Sequence, residues 1–211
     1  MDVVDEVLDG PRPLPIVSAG DPVLRRKASA LEGQLDDDRL QRLVQAMRVT
    51  MHEITGAVGL AAPQVGIPLR LAVLETPPEL ATRLAERGEQ PVPFTVLINA
   101  SYKPVGTRRT AFFEGCLSVP GWQAVVARTD RIALTCEDEA GRRIEAEHEG
   151  VAARIMQHEI DHLDGTLYLD RAEIRSLSSM EEIIQRWMPA GLEAAARELG
   201  FSLPKADGAG Q

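Results

Sequence analysis

A chain of 211 residues, 44% hydrophobic and 26% charged, is long enough to bury one sizeable core and ordinary in composition for a globular protein. Its net charge of −9 argues against nucleic acid as the principal ligand, because phosphate binding wants a basic face. No apolar run approaches the roughly 20 residues of a membrane span. The acidic start, Met1-Asp2-Val3-Val4-Asp5-Glu6, is neither a signal nor a transit peptide, so the cytoplasm is the expected compartment and no membrane partner is expected.

In chain order, Gly10, Pro11, Pro13 and Pro15 crowd the start, so residues 1–16 read as an extended arm. Asp36-Asp37-Asp38 then opens a helix whose apolar positions are Leu40, Leu43, Val44, Met47 and Met51, ending near Gly56. Residues 69–74 read as a buried strand, 77–93 as an insertion or short surface helix, and 94–98 as another strand. Val125-Val126 and 132–136 are strands. The second turns at Glu139-Ala140-Gly141 into a partner over 142–148, a hairpin. Residues 151–164 give a helix with Val151, Ile155, His158 and His162 on one face and Gly165 as its stop. A last helical region covers 173–199, interrupted near Pro189. Strands gathered around one helix give an α+β fold. Residues 1–203 make a single domain with 172–203 as its C-terminal helical part, and 204–211 form a disordered tail.

The sharpest chemical signal is His158-Glu159-Ile160-Asp161-His162. Residues four apart stand one turn apart on one face of a helix, so two imidazoles can hold one metal ion while the Glu beside the first reaches a water. Such an ion needs a third protein ligand and an open position. Glu173, Glu181 and Glu182 lie downstream, where a thermolysin-like peptidase has its third ligand. Cys116, in Glu114-Gly115-Cys116-Leu117-Ser118, competes for the role on a glycine turn, whereas Cys136 is embedded in an apolar strand. A single disulfide between the two is possible, but nothing else suggests secretion. A third stretch, Ala57 to Gly66, combines small residues with Pro63 and a lone Gln64, whose amide can donate to an oxyanion.

Together, residues 57–66, 114–118 and 157–165 resemble the three signature motifs of peptide deformylases, in order and spacing, within a likeness running from about Val17 to Arg171. The resemblance implies a central motif-bearing helix enclosed by antiparallel β-sheets. It implies a hydrolase that removes the N-formyl group from the formyl-methionine of nascent chains. It also settles the third ligand, with Cys116, His158 and His162 holding a divalent metal and water in the fourth position. Glu159 is implied as the proton carrier, and the Gln64 side chain with the Leu117 backbone N–H as oxyanion donors. Small space around Gly59 and Gly115 would admit formyl alone, and Val58, Ile155 and Leu117 would form the methionine pocket. The family implies Fe²⁺ in the cell, while Zn²⁺, Ni²⁺ and Co²⁺ also suit the donor set. Formyl-methionyl peptides are the expected partners, with the ribosome as the place where they are met. An inactive, ribosome-associated member of the family is the remaining alternative. Ala57 departs from the family's usual Gly and is expected to modulate binding. Gln123 stands where some members are basic, so Arg128 or Arg131 are candidates for the substrate's far end, and Arg154 for an ion pair on the helix. His52 and His148 are expected to be non-ligands.

Overall fold

The computed structural model describes residues 3–86 and 89–204. Helix α1 (Val3–Leu8) opens the chain and is followed by extended backbone. The expected extended arm is thus corrected. Val4 and Leu8 are buried in the apolar cluster that holds Leu43, Met47 and Met51, and that burial outweighs the breakers downstream. Helix α2 (Asp37–Glu53) starts where the Asp36 carboxylate accepts the Arg39 N–H at 2.8 Å, with Asp37 and Asp38 favourably placed in the first turn.

A five-stranded antiparallel sheet runs in the order β1 (Gly59–Ala61), β2 (Leu71–Leu74), β3 (Thr95–Pro104), β6 (Arg131–Glu137), β7 (Arg143–Glu149). A second sheet has the order β4 (Arg109–Cys116), β5 (Val119–Thr129), β8 (Ala172–Ser179). Between β2 and β3 lies the short helix α3 (Pro78–Ala85), the surface helix expected within 77–93. Helix α4 (Gly150–Leu163) carries both histidines. Its Ala153, Met156, Ile160 and Leu163 join Ala72, Leu74, Leu97, Ile132 and Leu134 of the larger sheet in one core cluster. Its other side meets β5, so the helix lies between the two sheets.

Two interactions fix the end of α4. The buried Arg70 guanidinium donates to Leu163 O at 3.0 Å, to Asp164 Oδ1 at 2.7 Å and to Ala100 O at 2.6 Å, which satisfies a terminal helix carbonyl with a cation. Gly165 follows at φ +73°, and a Cβ there would lie 2.9 Å from the Arg25 backbone. Only glycine serves at that position.

The C-terminal part also needs correction. Residues 172–179 are strand β8 rather than helix. Helix α5 (Met180–Glu182), a π-helical turn over Ile183–Trp187 and α6 (Met188–Ala190) then run on continuously. The interruption expected near Pro189 is the break at Gly191, before α7 (Leu192–Leu199). The expected tail, apart from Pro204, lies outside the described residues. Among the described residues no helix is long and apolar enough to cross a membrane.

Candidate active site and metal centre

Strand β4 ends at Cys116, and β5 begins at Val119, so the thiol stands at the mouth of a two-residue turn formed by Leu117 and Ser118. Gly115 is accordingly a strand residue. The turn expected at Gly115 begins two residues later, at Leu117. The turn presses the Cys116 side chain toward the motif face of α4. Its Sγ lies 3.3 Å from His162 Nε2, and one donor atom each from Cys116, His158 and His162 falls within 4.8 Å of the others. Among the described residues this is the one group of three or more His, Cys, Asp or Glu side chains so placed. Glu173, Glu181 and Glu182 take no part in it, which removes the carboxylate alternative. His52 pairs with Glu75 at the surface and His148 lies on β7.

The donor set fits a divalent cation. A soft sulfur and two imidazoles suit zinc or the later first-row metals. Burial, and then the charge of His158, hold His162 well below the usual imidazole range, so its ring is neutral, as a ligand must be. His158 behaves oppositely. Burial opposes its protonation, but bonds to Cys116 and Glu114 outweigh it and hold the ring well above its ordinary value. The second ring nitrogen of His158, Nδ1, lies 3.2 Å from Glu114 Oε2, which orients the ring.

Glu114 is held in turn. Arg128 grips both its oxygens at 2.8 and 2.9 Å, and Arg154 pairs with it as well. Burial would raise the Glu114 carboxyl, but the bonds from His158 and Arg128 reverse that and leave it at about 2. Arg128 also reaches Asp161 at 2.7 Å, and Asp161 takes two bonds from Arg171. Neither Arg128 nor Arg131 lines the cleft. Arg128 is wholly committed to this buried network, and Arg131 pairs with Glu147 on the surface. Tyr168 stacks on His158, with ring centroids 6.2 Å apart, and donates to Trp122 O at 3.0 Å.

The other expected residues converge on one cleft of about 510 Å³, lined by Val58, Gly59, Gln64, Gly115, Cys116, Leu117, Ile155, His158 and Glu159 among others. Glu159 is 4% exposed, and its Oε2 has no hydrogen-bond partner within the protein. Burial pushes its carboxyl up to about 7, although His158 and Arg128 pull the other way. Glycine at position 59 leaves room for it in this position. A Cβ on Gly59 would lie 2.7 Å from Glu159 Cδ. Gln64 Oε1 accepts the Ala61 N–H at 2.9 Å. Its amide group then points toward Cys116 Sγ at 3.5 Å and Ser118 Oγ at 3.3 Å. Both are weak partners that an anionic oxygen would replace well. Ala57 has no positive φ and packs partly against the α2 cluster while lining the cleft, so its Cβ is accommodated without strain.

Sequence reasoning missed Glu114, Arg128, Asp161 and Tyr168 as supports of the histidines. An Arg in the middle of a strand whose neighbours are apolar, Val125-Val126-Ala127-Arg128, was the available signal that a buried acid awaited it. Trp122 and Met180 at the cleft mouth were also missed.

The family described as polypeptide deformylase has a model that matches residues 13–178. The chain is 59% identical over 204 residues to peptide deformylase 3 of Streptomyces avermitilis, covering 96% of this chain and 91% of that protein. Its structure resembles the crystal structure of peptide deformylase from Thermotoga maritima, with a TM-score of 0.63 at 36% identity, over 76% of this chain and 97% of the other. It also resembles the Met-Ala-Ser-bound class I type b enzyme of Acinetobacter baumannii, with a TM-score of 0.67 at 31% identity, over 75% and 97% of the two chains.

Proposed function

The chain belongs to the polypeptide deformylase family, and from that premise we propose which of its residues carry the reaction. The protein is a metal-dependent hydrolase that removes the N-formyl group of formyl-methionine from new polypeptides, with release of formate. We take residues 1–203 to act as one catalytic unit. Within it, Cys116, His158 and His162 hold one divalent cation. When bound, that ion supplies Lewis acidity to the reacting water and the formyl oxygen.

The protein's own groups do the rest. Glu159 accepts a proton from water as the water oxygen bonds to the formyl carbon, and delivers it to the amine nitrogen as the C–N bond breaks. A carboxyl near pH 7 can take and return a proton at small cost in either direction. The Gln64 amide and the Leu117 N–H donate to the oxygen on which charge develops. Gly59 and Gly115 leave room at the carbonyl carbon for a hydrogen and little more. Val58, Ile155 and the Leu117 side chain form the apolar pocket for methionine.

One observation carries this reading. A thiol and two imidazoles converge beside a buried, unpartnered carboxyl within a single cleft. Formate release from formyl-Met-Ala-Ser, measured beside metal content, tests it. Cys116→Ala should lose both, because a site of three protein ligands cannot spare one. Full metal occupancy in that variant would overturn the ligand assignment.

The finer assignments rest on chemistry. We place Fe²⁺ at the site in the cell and regard Zn²⁺, Ni²⁺ or Co²⁺ as later occupants. Metal analysis of anaerobically purified protein checks this. Its substrates are made in the cytoplasm, so we place the enzyme there, meeting nascent chains at the ribosome. Cosedimentation with ribosomes checks that encounter.

A further inference from the structure

The cleft does not end at its rim. Trp122 and Met180 line its mouth and are still 47% and 40% exposed. They are neighbours through the sheet, since Trp122 pairs with Ser179, and Met180 Sδ lies 3.8 Å from the Gln123 amide on the cleft wall. Met180 is also the first residue of the helical stretch that runs to Ala190. Four and eight residues on come Ile184 and Met188, 56% and 62% exposed. Ile183 and Trp187, each one residue earlier and so about 100° around the same stretch, are buried. The π-helical turn at 183–187 preserves this division, because a spacing of four falls within about 40° of one full turn in either helix type. The result is a row of large apolar side chains that begins inside the cleft and leads away from it for roughly 12 Å, eight residues of helix at about 1.5 Å each.

Apolar side chains at this exposure, in a continuous row, mark a contact surface rather than scattered surface residues. Continuity with the cleft decides the occupant. The substrate is the end of a polypeptide, and everything after its first few residues must leave over the rim of this cleft, of which Trp122 and Met180 are the exposed apolar part. We propose that Met180, Ile184 and Met188 form an apolar track that binds the nascent polypeptide beyond its third residue. An extended chain rises about 3.3 Å per residue, so the track spans roughly four residues, at positions four to seven of the substrate. The enzyme then favours chains with apolar side chains at those positions over polar chains and over tripeptides. This rests on the deformylase reading above.

The test compares three substrates on the metal-loaded full chain. These are formyl-Met-Ala-Ser, the same peptide extended by Leu-Ala-Leu-Ser, and the same peptide extended by Ser-Gly-Ser-Ser. The apolar extension should raise kcat/KM by about tenfold over the tripeptide, the scale expected from partial burial of two or three such side chains. The gain should appear in KM, because the track is remote from the reacting atoms. The polar extension should give no gain. The double variant Ile184→Ser/Met188→Ser alters only exposed side chains. It should keep its rate on formyl-Met-Ala-Ser and lose the gain on the apolar peptide.

Equal kcat/KM for all three peptides in the unaltered enzyme would overturn the track. So would a gain that survives the double variant. A dimer that dissociates in the double variant, with length preference unchanged, would assign the row to a second copy of the chain and overturn the proposal equally. Failure on formyl-Met-Ala-Ser itself would strike the deformylase reading instead, so the two failures are distinct.

Discussion

Glu159 is the residue on which most depends, and its surroundings make its test clean. The carboxyl belongs to no ligand group, and Gln fills the same space. Glu159→Gln should therefore keep a full equivalent of metal and still bind a formyl-Met peptide. Turnover should fall by roughly 10²- to 10⁴-fold, the range for a lost general base. Loss of metal together with activity would make Glu159 a ligand or a prop. Glu114 acts through His158 and offers a different readout. Its folded carboxyl is held at about 2, below an ordinary value of 4.5. A depressed acid stabilises the fold fully above its unfolded value, and that stability is lost as pH falls through the folded value. The buried pair is therefore worth about 3 kcal/mol above pH 4.5, disappearing toward pH 2. Urea unfolding across that window should show a steeper acid loss for the native protein than for Glu114→Gln. The variant should also bind metal roughly 10- to 100-fold more weakly. At this scale the cluster of Cys116, His158 and His162 and the placing of Glu159 and Gln64 beside it were legible, because metal and acid–base chemistry uses rare residue types at fixed spacings. Glu114 was not, since an acid supporting a ligand looks like any surface acid until Arg128 is found behind it.

Among the elements, α4 was the easiest to read and β8 the hardest, for one physical reason. In α4 the apolar positions Ala153, Met156, Ile160 and Leu163 are the buried ones, so periodicity and burial agree. In β8 the buried residues are Ser176 and Ser178, while Ile174 and Leu177, three apart, face outward and imitate a helix. Ser176 is inside because its hydroxyl accepts the Val125 N–H at 2.7 Å, a tertiary contact that no local pattern reveals. Strand β4 inverts the hydrophobic code in the same way, with Phe112 exposed and Glu114 buried. The stop of α4 gives a prediction at this scale. Gly165→Ala would combine a left-handed φ with a Cβ pressed on the Arg25 backbone. It should cost about 2 kcal/mol or more, seen as a lowered Tm with little change in kcat of the folded enzyme. An unchanged Tm would show that the 25–26 loop moves aside freely.

Across the whole molecule, the three proposed ligands join structures that the network of buried Arg128, Glu114 and Asp161 with Arg154 also ties together. Cys116 sits on the small sheet, and both histidines sit on the helix packed against the large one. The apolar clusters on each side are complete without a metal, so chelation should leave the protein folded. Its Tm should nevertheless fall by roughly 5–15 °C, the stabilisation that a tightly held ligand supplies to a domain of this size. Far-UV circular dichroism before and after treatment with a chelator separates this outcome from global unfolding. The overall α+β layout was legible because strand and helix patterns alternate clearly from Leu71 to Leu163. The pairing of β8 with β5 was not, since it depends on residues more than forty positions apart.

The space beside Gly59 has a consequence for inheritance. A site is usually pictured as the set of atoms it presents, yet here one indispensable component is a missing methyl group. Two positions away, Ala57 carries that same methyl without harm. Within one ten-residue motif, then, the tolerance for variation should change abruptly between neighbours. Saturation mutagenesis under selection for growth should recover several small residues at position 57 and glycine alone at position 59. The alleles lost at position 59 would encode proteins that fold and hold metal but have displaced the Glu159 carboxylate. Lineages could drift at the first position indefinitely and never at the second.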